Sequence, residues 1–280
     1  MHQLLIGRVS VLLFVLLLST ACAAQTIIFE DTFNTGIDSS LWDTVVPEPG
    51  LDSVSTDSGK LHVINSGSGG RWAGGAGIWT KPGSFPLFSR PQDDSEYNFY
   101  FEGVQLPSAI QRFALGFYST NPPTHTTPKF PDDNGPNGGT SYYFMGLPNS
   151  ETPTKNWLST FSIGAGGAAA DSTGGDGFHT WGFGKIYDLR LQVTKDDVTW
   201  WGKEQPFANW KLLQDPSANI LGHPGSEANG RNDFGLFVHA SAADFDNGIG
   251  WVDADLRVDR IYATKYKPSM GFPPLTDPVF

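Results

Sequence analysis

One cysteine, Cys22, serves the whole 280-residue chain, so no disulfide within the chain can staple the fold. Stability has to come from core burial, with or without a bound ion. Charge is also scarce, at 17% of residues, and lopsided: 29 acidic against 18 basic side chains leave a formal charge of −11. No Lys/Arg cluster relieves that balance. An acidic surface repels phosphate backbones, which removes nucleic acid from the expected partners and favours an uncharged polymer over a strongly anionic one. Also missing are a long apolar stretch of helical period, a repeat of about 20–50 residues, and a Gly-x-Ser-x-Gly motif, so a bundle, a solenoid and a serine hydrolase have no support. What is present is 39% hydrophobic and 13% aromatic content with 33 glycines and 20 prolines. That composition reads as one large all-β domain with many turns and an ample core.

Residues 1–24 read as an export signal. Arg8 precedes the apolar run Val9 to Leu18, and Ser19, Thr20 and Ala21 follow; the run is too short to serve well as a membrane span. Loss of this segment removes one arginine and no acid, leaving −12 on the mature chain. Ser19-Thr20-Ala21-Cys22 also resembles a bacterial lipoprotein box, with Ser19 where leucine is usual. Two readings stay open: an acyl anchor at Cys22, which is the one membrane attachment expected, or ordinary cleavage near Ala23 or Ala24. The folded domain is expected over 25–268, with a tail over 269–280, in a monomer that is secreted, periplasmic or held at the cell surface.

The strongest strand signal lies in FHTWGFGKIYDLRLQVTKDDVTWW, Phe178 to Trp201. Tyr187, Leu189, Leu191 and Val193 alternate with Asp188, Arg190, Gln192 and Thr194, a period of two that predicts one face in a core and a polar face looking out. Lys195-Asp196-Asp197 then predicts a turn, and Val198-Thr199-Trp200-Trp201 a returning strand, making a hairpin. Further strands are expected at 98–106, 112–118, 141–147, 233–239 and 250–258. Long Gly- and Pro-rich connections are expected at 120–140, 162–177 and 215–232, of the kind that wall a groove.

This hairpin, the opening IIFEDTF with its Asp38-x-x-x-Trp42, the Gly59-Lys60-Leu61 element and the closing LRVDRIYATKY together resemble the laminarinase and lichenase glycoside hydrolases. The resemblance covers most of the mature domain. It implies an all-β, concanavalin A-like jelly-roll β-sandwich acting on or binding an extracellular polysaccharide. By motif it also implies a structural calcium held by the carbonyls of Thr32 and Gly59 and by Asp259, oxygen ligands of the kind calcium prefers. The bland alternative is that Asp259 faces solvent or caps a turn.

One part of the family pattern is missing. Retaining hydrolases of this kind carry Glu-x-Asp-x-Glu on one strand face, because nucleophile and acid/base must stand about 5–5.5 Å apart across the scissile bond. The expected strand, SYYFMGL over Ser141–Leu147, has no carboxylate. A substitute pair lies in WVDADLRV, where Trp251, Asp253, Asp255 and Arg257 share one face of the expected strand. Asp253 and Asp255 are the candidate acids, with Glu96, Glu102 and Glu151 as other possibilities and His239 as a candidate base; the ordinary alternative is a solvated strand face and a structural histidine. Trp72, Trp79, Tyr143, Trp181, Trp201 and Trp251 are candidate sugar-stacking residues, and Arg190 and Gln192, with Asp188, candidate polar contacts; several of these tryptophans are expected to be core instead. Three functions follow: a glycoside hydrolase, a non-catalytic carbohydrate-binding or adhesive module, and, more remotely, a polysaccharide lyase.

Overall fold

The computed structural model describes residues 25–46, 49–66, 76–81, 88–89, 93–105, 112–119, 140–148, 155–163, 169–173, 181–182, 185–195, 198–207, 209–212, 233–241, 243–245 and 250–267. These residues form strands and connecting segments. In chain order the strands are β1 (Thr26–Asp31), β2 (Trp42–Val45), β3 (Ser53–Asp57), β4 (Lys60–Asn65), β5 (Ala76–Thr80), β6 (Phe88–Ser89), β7 (Glu96–Gln105), β8 (Arg112–Ser119), β9 (Thr140–Pro148), β10 (Lys155–Ile163), β11 (Ala169–Thr173), β12 (Trp181–Gly182), β13 (Ile186–Val193), β14 (Val198–Glu204), β15 (Lys211–Leu212), β16 (Asp233–Ser241), β17 (Ala243–Phe245), β18 (Gly250–Val252), β19 (Ala254–Val258) and β20 (Arg260–Tyr266).

Two nine-stranded antiparallel sheets carry the fold. The first runs β15-β14-β13-β7-β19-β4-β3, with β20 also paired to β7 and β1 to β20; the second runs β11-β10-β9-β8-β16-β5-β2, with β12 and β6 on its margins. Alternation in sequence sets the core. Leu61, Val63, Phe99, Phe101, Leu189, Leu191, Leu256 and Val258 of the first sheet join Trp42, Ile78, Leu115, Leu236, Val238 and Ala240 of the second in one buried cluster. Trp200 is fully buried there too, while its neighbour Trp201 is half-buried on the opposite face. The predicted hairpin is present, with Arg190 opposite Trp201 and Leu191 opposite Trp200.

Three expectations need correction. WVDADLRV is not one strand: Gly250–Val252 pairs with β17 in a separate two-stranded sheet, and Asp253 marks the break before β19. The segment 162–177 is not wholly a connection, since β11 pairs with the end of β10. The polar side of β13 is not solvated either, with Asp188 4% and Arg190 9% exposed. Its covering includes Trp210, from the segment after β14, whose ring lies against Arg190, Lys203 and Tyr100.

Gly103 joins the halves of the first sheet. Its φ of +65° accompanies a shift in register between β7 and β13, where Tyr187 faces Val104 but Leu189 faces Phe101. A bulge of this kind inserts an extra residue and bends the strand. The Gly103 N–H donates to Asp188 Oδ1 at 2.9 Å, and the Asp259 N–H donates to the Glu102 carbonyl at 2.9 Å. There β7 passes from pairing with β20 to pairing with β19.

Candidate functional site

On the second sheet, core residues Leu236, Val238 and Ala240 alternate with Phe237 and His239 along β16, so the latter two belong to the face turned away from the sandwich core. Trp79 is opposite Phe237, and Gly77 opposite His239. The Trp79 and Phe237 rings stack with centroids 5.0 Å apart, and the His239 ring lies 6.3 Å from that of Trp79. Gly77 permits the close backbone approach of β5 to β16, because a Cβ there would sit 2.3 Å from the Val238 carbonyl oxygen. Tyr143 of β9 falls in the same cross-strand row, opposite Gly116, which is opposite Phe237. The backbone thus brings Trp79, Tyr143 and His239 to neighbouring rungs of one sheet. Trp79 and His239 are buried, at 4% and 0% exposure, so neither presents an open stacking or proton-transfer surface.

Arg190, Gln192 and Trp201 lie elsewhere, on the outer face of the first sheet. Their row is Trp201–Arg190–Tyr100–Tyr262 by register. The Arg190 guanidinium lies 5.1 Å from the Trp201 ring centroid and 5.0 Å from that of Trp210. Tyr100 and Tyr262 stack at 4.4 Å. Gln192 donates to Glu96 Oε2 at 2.7 Å, and the Tyr262 hydroxyl to Glu102 Oε1 at 2.9 Å. Burial and the adjacent Glu102 carboxylate push the Tyr262 phenol well above its usual value. Glu96 and Glu102 are therefore held in local networks on this face.

The candidate acids do not assemble with His239. Asp255 alternates with core residues Ala254 and Leu256, which places it on the outer face of the first sheet. There it meets His62 Nε2 at 2.8 Å and Arg257 Nε at 3.5 Å. Asp253 is exposed at the strand break. Because His239 is on the outer face of the other sheet, Asp255 and His239 are separated by the whole sandwich, whose sheets alone pack about 10 Å apart.

Thr32, Gly59 and Asp259 do converge, through intermediaries. Asn34 Nδ2 donates to the Thr32 hydroxyl at 3.1 Å, and Asn34 Oδ1 lies 2.5 Å from where a Cβ on Gly59 would be. Lys60 forms an ion pair with Asp259. The carboxylate expected to bind calcium is thus already neutralised by an ammonium, so this arrangement does not fit a calcium cage. Trp72 and Glu151 lie outside the described residues, as do residues 1–24 with Cys22 and the tail 269–280; for Trp181 and Trp251 only the strand is described.

This two-sheet arrangement is similar to that of solved structures. The catalytic domain of an endo-1,3-β-glucanase (laminarinase) from Thermotoga petrophila RKU-1 is 13% identical; the match covers 88% of this chain and 100% of that one, with a TM-score of 0.53. The fold is a concanavalin A-like jelly roll. The VIP36 exoplasmic/lumenal domain in its Ca2+/Man2-bound form is 13% identical, covering 86% of this chain and 88% of that one at a TM-score of 0.49. A xylan β-1,4-xylosidase from Bacillus halodurans C-125 is 15% identical over 84% of this chain at 0.46, and the chain spans only 38% of its length. No protein-family model matches the chain, and no curated protein does.

The jelly roll makes the split of residues intelligible. Sequence alternation assigns each side chain to one of two faces of its strand, but it does not say which sheet that strand joins. Trp210, Tyr100 and Tyr262 were not among the expected site residues. A usable signal existed for Tyr100, because Asn98-Phe99-Tyr100-Phe101-Glu102 repeats the alternation of Asp188 to Gln192 and the two segments pair.

Proposed function

We propose that this jelly roll is an exported carbohydrate-active protein that binds an extracellular glycan without hydrolysing it through the usual acid pair. The observation that carries the reading is the match to an entire laminarinase catalytic domain, combined with an interior β9 strand that has no carboxylate. Strand β9, on which the family resemblance expects the acid pair, pairs with β8 on one side and β10 on the other, and its sequence is TSYYFMGLP. Export rests on the Val9–Leu18 apolar run and its basic flank. Calcium at Thr32, Gly59 and Asp259 is not part of this reading, because Lys60 already supplies the balancing charge.

The test is incubation of the mature protein with a panel of plant, algal and bacterial polysaccharides, measuring retention, released reducing ends and absorbance at 235 nm. Retention without either product is the expected result. Reducing ends would establish a hydrolase whose acids lie outside Asp253 and Asp255 if Asp253→Asn and Asp255→Asn leave the rate unchanged. A rise in absorbance would establish elimination and a lyase. Absence of retention on every glycan would refute the reading.

A further inference from the structure

Among the described residues, no acidic side chain pairs with the buried positive charge of Arg190. Its side chain is nine-tenths buried, at 9% exposure, and its Nε is sealed from solvent with no hydrogen-bond partner. Among the described residues its contacts are the faces of Trp201 and Trp210, at 5.1 and 5.0 Å. The nearest acid on its own strand face is committed elsewhere. Asp188 accepts from the Gly103 N–H at 2.9 Å and from Gln205 Nε2 at 2.7 Å, and pairs with Lys203 at 3.3 Å.

The two tryptophan faces stabilise the charge, but they accept no conventional hydrogen bond, so the sealed Nε donor is left without an acceptor. The guanidinium, packed against both rings, presents a planar fork of donors. That is the geometry that takes a carboxylate or sulfate through two parallel hydrogen bonds.

We propose that the Trp201–Arg190–Trp210 stack is an oxyanion site, receiving the carboxylate or sulfate ester of an acidic sugar unit on the face opposite Trp79 and His239. The tryptophans supply the flanking surface against which a sugar ring packs, and Arg190 supplies the ionic recognition. Lys203, 4.8 Å from the Trp210 ring centroid, adds a second positive charge. The net charge of −11 makes a densely charged polymer a poor occupant. An isolated acidic unit fits better, because its neighbours along the chain are neutral and the remaining field is screened over about 8 Å at physiological salt. Only the sugar part of the proposal rests on the glycan reading above; the oxyanion part stands on Arg190 itself.

Titration of the mature protein at constant ionic strength with D-glucuronate, glucose 6-sulfate, acetate and D-glucose, read by tryptophan fluorescence, tests it. Glucuronate or the sulfate ester should give a saturable change and glucose none, and the preferred one of the two identifies the oxyanion. Arg190→Gln should weaken that binding at least tenfold, and Arg190→Lys, which keeps the charge and loses the fork, should weaken it less. Inorganic sulfate should displace glucuronate from the unaltered protein, a check that does not depend on any variant folding. Acetate binding as tightly as glucuronate would overturn the sugar assignment. An equal response to glucose, or one that neither Arg190→Gln nor sulfate diminishes, would overturn the site. Retention on neutral glycans is measured on the unaltered protein and does not depend on the oxyanion, so failure here and failure of the glycan reading are separable.

Discussion

Gly103→Ala tests whether the bulge between β7 and β13 is a required hinge of the first sheet. The backbone at Gly103 has φ +65°, a conformation that costs a residue with a side chain about 1–2 kcal/mol. A Cβ would lie 2.4 Å from the Asp259 carboxylate carbon and 2.7 Å from Asp259 Cβ. The second distance matters more, because Cβ cannot swing away without movement of the backbone whose N–H bonds to the Glu102 carbonyl. Displacing Asp259 also opens its pair with Lys60, a part-exposed contact worth at most about 1 kcal/mol. Together these give a loss of about 2–4 kcal/mol, or about 4–16 °C in melting temperature at about 2–4 °C per kcal/mol for a chain of this size. Thermal unfolding followed by circular dichroism measures it. Adding Asp259→Gly should recover the part due to collision and leave the part due to φ, so the two substitutions should be non-additive. A single Gly103→Ala melting within about 2 °C of the parent would refute the argument.

Other perturbations address the two faces and the chain ends. Trp79→Ala empties a buried stack on Phe237 and should cost about 3–5 kcal/mol in chemical denaturation; a loss below about 1 kcal/mol would mean the ring is dispensable for packing. Tyr262 has a folded-state pKa raised above its usual 10.0 by burial and Glu102, so its contribution is fully present below that pH and is lost as pH climbs through the alkaline range. Tyr262→Phe should therefore flatten the alkaline fall in stability measured above about pH 10, and an unchanged slope would locate the fall elsewhere. Calcium at about 100 times its dissociation constant would add about 2.7 kcal/mol if a site existed; melts with excess calcium and with EDTA should instead coincide, and a gap between them would restore the cage at Asp259.

Much of the fold was readable because its central strands alternate strongly. Ile186–Val193 and its return through Trp201 have large apolar residues at every second position, and the motifs at the two ends of the chain do form strands, which pair with each other. Alternation fails where side chains are small: Ala169–Thr173 has little apolar contrast, so β11 resembled a connection. At Asp253 the pattern continues through a real break, because a period of two records the residue order and not whether the strand stays hydrogen-bonded. The polar face of β13 was assigned correctly as a face but wrongly as solvated, since its covering comes from Trp210, a residue with no periodic signal. The candidate site suffered most. Trp79 and Arg190 both looked like ligand contacts, and only the pairing order shows that the sandwich lies between them.

The pairing of β1 with β20 has a mechanical consequence. Thr26 stands opposite Lys265 and Asp31 opposite Ile261, so the outer end of the first strand lies beside the outer end of the last. Tension applied between those two ends loads the rungs one after another, starting at Thr26, and peels the strands apart like a zip. A pull in the same direction on a parallel pair would load all rungs at once. A protein tethered by one end and tugged by a polymer held near the other would thus yield first at this seam, at low force, with β7 and the interior of the sandwich still intact.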